Sequence, residues 1–171
     1  MRTAGMIVLL LLIAAAGCTN PFAPKLDTSA AGSNAILVDQ HQIEGVFLNF
    51  KQAYAYRDTT FYGQVLAPDF IFVYRDYDKG ADVFWGRDDD LRTTEGLFQN
   101  VQRLDLVWNS VISQSVEPDS LKATILRNFN LTVTFSANDI VRVDGYANWT
   151  LQRARTEDDW KIVRWRDESN F

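Results

Sequence analysis

Two long runs of strict alternation in the second half constrain the fold more than anything else in the chain. In LKATILRNFNLTVTF (121–135), Phe129, Leu131, Val133 and Phe135 fall on one face, and Asn128, Asn130, Thr132 and Thr134 on the other. A period of two is the signature of a strand with one buried and one solvated face. DIVRVDGYANWTLQRAR (139–155) reads as a second long strand, RLDLVWNSVIS (103–113) precedes them, and WKIVRWRDE (160–168) follows a TEDD turn. Consecutive strands joined by short connections pair antiparallel. One apolar face then needs a cover.

The first half supplies it. DQHQIEGVFLNFKQAYAYRD (39–58) carries Ile43, Val46, Phe47, Phe50 and Tyr54 at helical spacing, with Asp39 expected as N-cap. TTFYGQVLA (59–67) predicts a shorter helix with Phe61, Val65 and Leu66 on one side, closed by Pro68. DFIFVYR (69–75) is rich in β-branched and aromatic residues and predicts a strand, and DDDLRTTEGLFQN (88–100) predicts a third helix. The expected class is α+β, with three N-terminal helices packed on a curved, mostly antiparallel sheet.

The N-terminus carries a different signal. Arg2 precedes the apolar run MIVLLLLIAAA, which is too short for a mature transmembrane helix and ends in Ala15-Ala16-Gly17-Cys18. Small residues before a cysteine resemble the bacterial lipobox. That resemblance implies a signal peptide over 1–17, lipidation of Cys18 and anchoring in the cell-envelope membrane. Thr19, where an aspartate would favour the inner membrane, points to the outer one. Residues 18–34 (CTNPFAPKLDTSAAGSN) read as a lipidated cysteine and flexible tether, leaving 35–171 as one folded domain. Cys18 is the only cysteine, so no intrachain disulfide can form. A net charge of −5 without a basic stripe excludes nucleic acid as a partner.

The order of elements, with AYRDTTFYGQVLAPDFIFVY, WGRDDDLR and DDWKIVRWRDES as its most telling pieces, resembles the nuclear transport factor 2-like superfamily over about residues 39–167. This family includes ketosteroid isomerases, scytalone dehydratase, polyketide cyclases and many non-catalytic domains. The resemblance implies a cone-shaped half-barrel enclosing a pocket, and a homodimer as a common assembly. Ketosteroid isomerases build an oxyanion hole from a helix tyrosine and a protonated aspartate and use a strand aspartate as base, as the general account of their catalysis describes. A gapless alignment puts Phe50 at the tyrosine position and Tyr74 at the base, with no acid in Asn148–Gln152 for the third role. Phe50 cannot donate a hydrogen bond, and a tyrosine with a reference pKa of about 10 is a poor base at neutral pH. Isomerase chemistry is therefore not expected.

Other members use His–Asp chemistry. His41 is the only histidine, and it sits among polar neighbours in DQHQ. It and Asp76 are weak catalytic candidates. Asp76 and Asp78 flank a DYDKG turn; Asp88, Asp89 and Asp90 open the third helix, where carboxylates complement the helix dipole. The spacing does not match an EF-hand, and no metal site or cofactor is expected. Arg127 shares the apolar face of its strand, so it either reaches water from a strand end or anchors an anionic group. Tyr54, Tyr74, Trp85, Trp108, Arg127 and Tyr146 are the ligand-binding candidates, with core or dimer packing as the alternative use of the aromatics.

The expected function is that of an envelope lipoprotein whose non-catalytic domain binds a small apolar or amphipathic ligand or scaffolds a protein. The alternative is a dehydratase- or cyclase-like enzyme for a small hydrophobic substrate, which requires His41 or Asp76 to face the pocket.

Overall fold

A computed structural model describes residues 37–168 of the chain. The expected signal peptide, Cys18 and the tether lie outside these residues. Among the described residues no helix is long and apolar enough to cross a membrane.

The elements run α1 (Ile43–Tyr56), α2 (Thr59–Val65), β1 (Leu66–Asp76), β2 (Ala81–Gly86), α3 (Arg87–Asn100), β3 (Arg103–Val116), β4 (Lys122–Ser136), β5 (Asp139–Gln152) and β6 (Lys161–Asp167). Six strands form one sheet in the order β2-β1-β6-β5-β4-β3, antiparallel except for the β1–β6 pair. The three helices cover one face, as the class expected from the sequence requires; α1 packs on β3 and α3 on β1.

Register explains the core. Trp85, Phe72, Trp165, Trp149 and Ile125 lie opposite one another on successive strands from β2 to β4. Because side-chain direction alternates along each strand, a matched register puts this whole row on the helix side. Phe72 stacks on Trp85 at 4.5 Å and meets Trp165 edge-on at 5.1 Å. Phe47 of α1 stacks on Trp149 at 4.4 Å and meets Trp108 edge-on at 5.0 Å. β3 shifts register between Trp108 and Val111 and again before Ser113. Such irregularities bend a strand, so the sheet curves around the helices.

Several boundaries differ from those read in the sequence. Asp39 is not the N-cap: α1 starts four residues later behind Gln42, and the Asp39 carboxylate accepts from the His41 backbone N–H at 2.9 Å. The reason lies in the buried Asn49. Its side chain bonds both the N–H and C=O of Val38 at 2.8 Å and the Gln40 amide oxygen at 2.9 Å, pinning residues 38–40 alongside the helix. Gln40 is tied in turn to Trp160 through its side chain and its backbone carbonyl. The second helix stops at Val65, because Pro68 favours extended backbone before it; Leu66 is already in β1, and the strand is irregular against β6 up to Ile71. β2 has no counterpart in the elements expected from the sequence. It is a six-residue edge strand with only Val83 and Trp85 turned toward the protein, too short an alternation to stand out.

Candidate functional site

The sheet and helices leave a cavity of about 390 Å³ between them. That is within the size range of small-molecule sites. α1 contributes Phe50 and Tyr54, α2 contributes Tyr62, and α3 contributes Asp90, Thr93, Thr94 and Leu97. The sheet contributes Phe72, Trp85, Leu106, Trp108, Phe129, Leu131, Val133, Phe135, Val141, Val143, Trp165 and Asp167. Nearly all of this wall is apolar or aromatic.

The exception is a polar end built around Asp90. This carboxylate is 4% exposed, and its oxygens accept from the Tyr62 hydroxyl at 2.7 Å and from the Trp85 indole N–H at 2.9 Å. Burial pushes the Asp90 pKa up; the two donors oppose that without cancelling it. Tyr62 is pushed well above the ordinary phenol value, first by burial, then by the charges of Tyr54 and Asp90. Tyr54 is pushed up by burial and then by Asp90 and Asp167, which places both carboxylates within electrostatic reach of one phenol. Two lone-pair directions on the Asp90 carboxylate remain beyond the two donors it holds.

Asp90 lies in the first turn of α3, where the sequence expects a carboxylate to complement the helix dipole, but it does not cap the helix. The N-cap of α3 is Gly86, which makes no side-chain bond. Asp89 pairs with Arg92 on the exposed face, whereas Asp90 turns inward. Position decides between them: the first turn of a helix faces solvent on one side and the core on the other, and α3 is rotated so that Asp90, Thr94 and Phe98 are buried.

Chains of known structure share this architecture. A conserved protein from Planctomyces limnophilus superposes with a TM-score of 0.64 at 16% identity, over 75% of this chain and 93% of that one. A candidate scytalone dehydratase from Novosphingobium aromaticivorans gives 0.64 at 12% identity, over 75% and 82%. A candidate dehydratase of the nuclear transport factor 2-like family from Streptomyces avermitilis gives 0.61 at 17% identity, over 78% and 97%. The chain has the nuclear transport factor 2-like fold. No protein-family model matches the sequence, and no curated protein does.

Within this nuclear transport factor 2-like cone, Tyr54, Trp85 and Trp108 come together on the cavity, as does Phe50. The other candidates do not line it. Tyr74 lies beside Trp85, 5.6 Å between ring centres, but outside the lining. Tyr146 points to the opposite face of β5, away from the buried Ala147 and Trp149, and is 40% exposed. Arg127 does not snorkel to water from a strand end; its side chain is largely covered. Its guanidinium lies over the Phe47 ring at 4.8 Å, pairs with Glu44 at 2.6 Å and donates to the Asn109 carbonyl at 3.0 Å. α1 thus provides the partner that a charge on this face needs.

Both weak catalytic candidates lie outside the cavity. The Asp76 carboxylate accepts from the Lys79 backbone N–H at 3.0 Å and pairs with the Lys79 ammonium at 2.7 Å, within a turn that ends at Gly80 with φ +63°. Lys79 holds its pKa below the ordinary value, which makes it a weaker base. His41 is exposed, bonded to Asp39 at 2.7 Å, and lines a separate polar groove with Gln114, Arg153 and Trp160. Asp39 raises the His41 pKa. Asp39, His41 and Asp159 bring ligand atoms within 4.8 Å of one another, all on exposed side chains.

Sequence reasoning misses Tyr62, Asp90 and Asp167. Tyr62 lies in a seven-residue helix buried on more than one side, so no stripe distinguishes it. Asp167 does carry a signal: it stands two residues after Trp165 on β6, and strand alternation puts the two on one face.

Proposed function

We propose that this domain binds a small, mostly apolar molecule in the cavity, with one polar group of the ligand directed at Asp90. The observation that carries the reading is the buried Asp90 carboxylate, held by only two donors, in a cavity wall that is otherwise mostly apolar and aromatic. Large apolar space with few convergent polar groups is the usual composition of a small-molecule site. On this reading the domain is a binding module, because the Tyr62 and Trp85 donors are directed at Asp90, not at a reacting atom. An envelope lipoprotein that presents this pocket outside the membrane is the setting the N-terminal sequence suggests.

Isothermal titration with 2-naphthylmethanol tests the reading. Saturable one-to-one binding is expected, weakened at least tenfold when Val133→Phe or Leu131→Phe fills the cavity. Binding that both variants leave unchanged would place the ligand elsewhere.

The raised pKa of Asp90 favours a second reading, in which it acts as a general base on a bound substrate. Candidate dehydratases share the fold, which is compatible with this and does not establish it. Incubation with 2-tetralone in D₂O separates the two readings. Accelerated exchange of its α-protons that is lost in Asp90→Asn supports the base; exchange at the solution rate supports the binding module.

A further inference from the structure

The charges around the cavity are one-sided. Its ionisable groups are two carboxylates, Asp90 and Asp167, and tyrosines; among the described residues no Lys, Arg or His lines it. The nearby arginines are directed elsewhere by strand alternation. Arg164 and Arg166 flank Trp165 on β6 and fall on the opposite face, where Arg166 pairs with Asp82 at 2.8 Å. Arg127, on the inward face of β4, is held by Glu44 at 2.6 Å and is not in the wall.

Building on the binding-module reading above, we propose that the cavity selects amphipathic organic cations: an ammonium group on a flat apolar body. Three properties of the wall favour such a ligand. Asp90 can accept a charge-assisted hydrogen bond on the lone pairs that Tyr62 and Trp85 leave. The aromatic rings of Trp85, Trp108 and Trp165 and of the tyrosines in the wall can attract a cation through their quadrupoles. A negative site with low-dielectric walls repels an anion of the same shape. A neutral alcohol would keep the apolar contacts and a hydrogen bond to Asp90 but lose the charge assistance and the cation–π attraction. Asp167 enters through its charge and its place in the wall, whatever its other contacts; its charge and that of Asp90 both reach the Tyr54 phenol.

Three probes with the same ring system test this on the full chain by isothermal titration at neutral pH: 2-naphthylmethylamine, 2-naphthylmethanol and 2-naphthoate. The amine is expected to bind about tenfold or more tightly than the alcohol, from one cation–π contact and one charge-assisted bond, and the carboxylate most weakly. The preference for amine over alcohol should shrink in Asp90→Asn and, independently, in Asp167→Asn, so that misfolding of one variant leaves the other to decide. Equal affinity for amine and alcohol, or tightest binding of the carboxylate, overturns the cation inference while leaving the pocket reading intact. Failure of all three to bind overturns the pocket reading and the inference with it.

Discussion

The Tyr62 hydroxyl donates to Asp90 at 2.7 Å across 28 residues of sequence, joining α2 to the first turn of α3 at the edge of the cavity. Both residues are buried, so neither can exchange the partner for bulk water. The bond therefore fixes the position of the carboxylate and limits how α2 and α3 can move apart.

Tyr62→Phe removes that donor and leaves Trp85 alone on the carboxylate. A hydrogen bond to a charged group contributes about 1.5–3 kcal/mol, and the variant should lose stability on that scale in urea denaturation at neutral pH. The loss should be smaller in an Asp90→Asn background, because the partner is then uncharged. Equal losses in both backgrounds would show that the charge of Asp90 contributes nothing to the strength of this bond.

Asp90 makes stability depend on pH in a defined direction. Its folded pKa is raised above the ordinary 3.8, so between these values the folded state binds more protons than the unfolded one. Stability from this group is present below 3.8 and is lost as pH rises through the folded value. In Asp90→Asn, the amide oxygen can accept from Trp85 while the amide nitrogen donates to the Tyr62 oxygen. Wild-type stability minus variant stability should fall as pH rises through this window and level off above it. A difference that rises with pH would contradict the raised pKa.

Gly45 is required by a close approach. A Cβ there would lie 1.9 Å from the Asp39 carbonyl oxygen. Alanine gains about 1 kcal/mol of helix propensity over glycine. Gly45→Ala should nevertheless destabilise the protein, by roughly 2 kcal/mol or more, because backbone and not a flexible side chain must move. Thermal denaturation checks the sign.

Asn49 joins the segment before α1 to the helix through three side-chain hydrogen bonds, two to Val38 and one to Gln40. Asn49→Ala should cost about 2–4 kcal/mol at roughly 1 kcal/mol per bond plus the unpaired buried groups left behind. Hydrogen exchange should speed up at the Val38 amide. An unchanged Val38 amide would show that this segment is held by other contacts.

The sheet is legible in the sequence because β4 and β5 each bury one face, which writes the period of two into Phe129, Leu131 and Val133 and into Val143, Ala147 and Trp149. α1 is legible for the matching reason: Val46, Phe47, Phe50 and Tyr54 all meet the core. β2 is not, since an edge strand pairing with β1 alone has little apolar surface to bury. The site is half legible. Aromatics such as Tyr54, Trp85 and Trp108 are conspicuous, but Asp90 sits in a run of three aspartates whose local chemistry suits a helix start. Only the rotation of α3 separates it from Asp89. Arg127 is conspicuous too, and its partner Glu44 lies 83 residues away on α1, a distance no local pattern bridges.

The most direct test of the binding account is a ¹⁵N-resolved titration of the tryptophan indole N–H signals with 2-naphthylmethylamine. Trp85, Trp108 and Trp165 line the cavity, whereas Trp160 lies on the separate polar groove under Arg153. The account predicts that the signals of the first three shift together and saturate while that of Trp160 stays in place. A shift confined to Trp160, or no shift at any of the four, would contradict it.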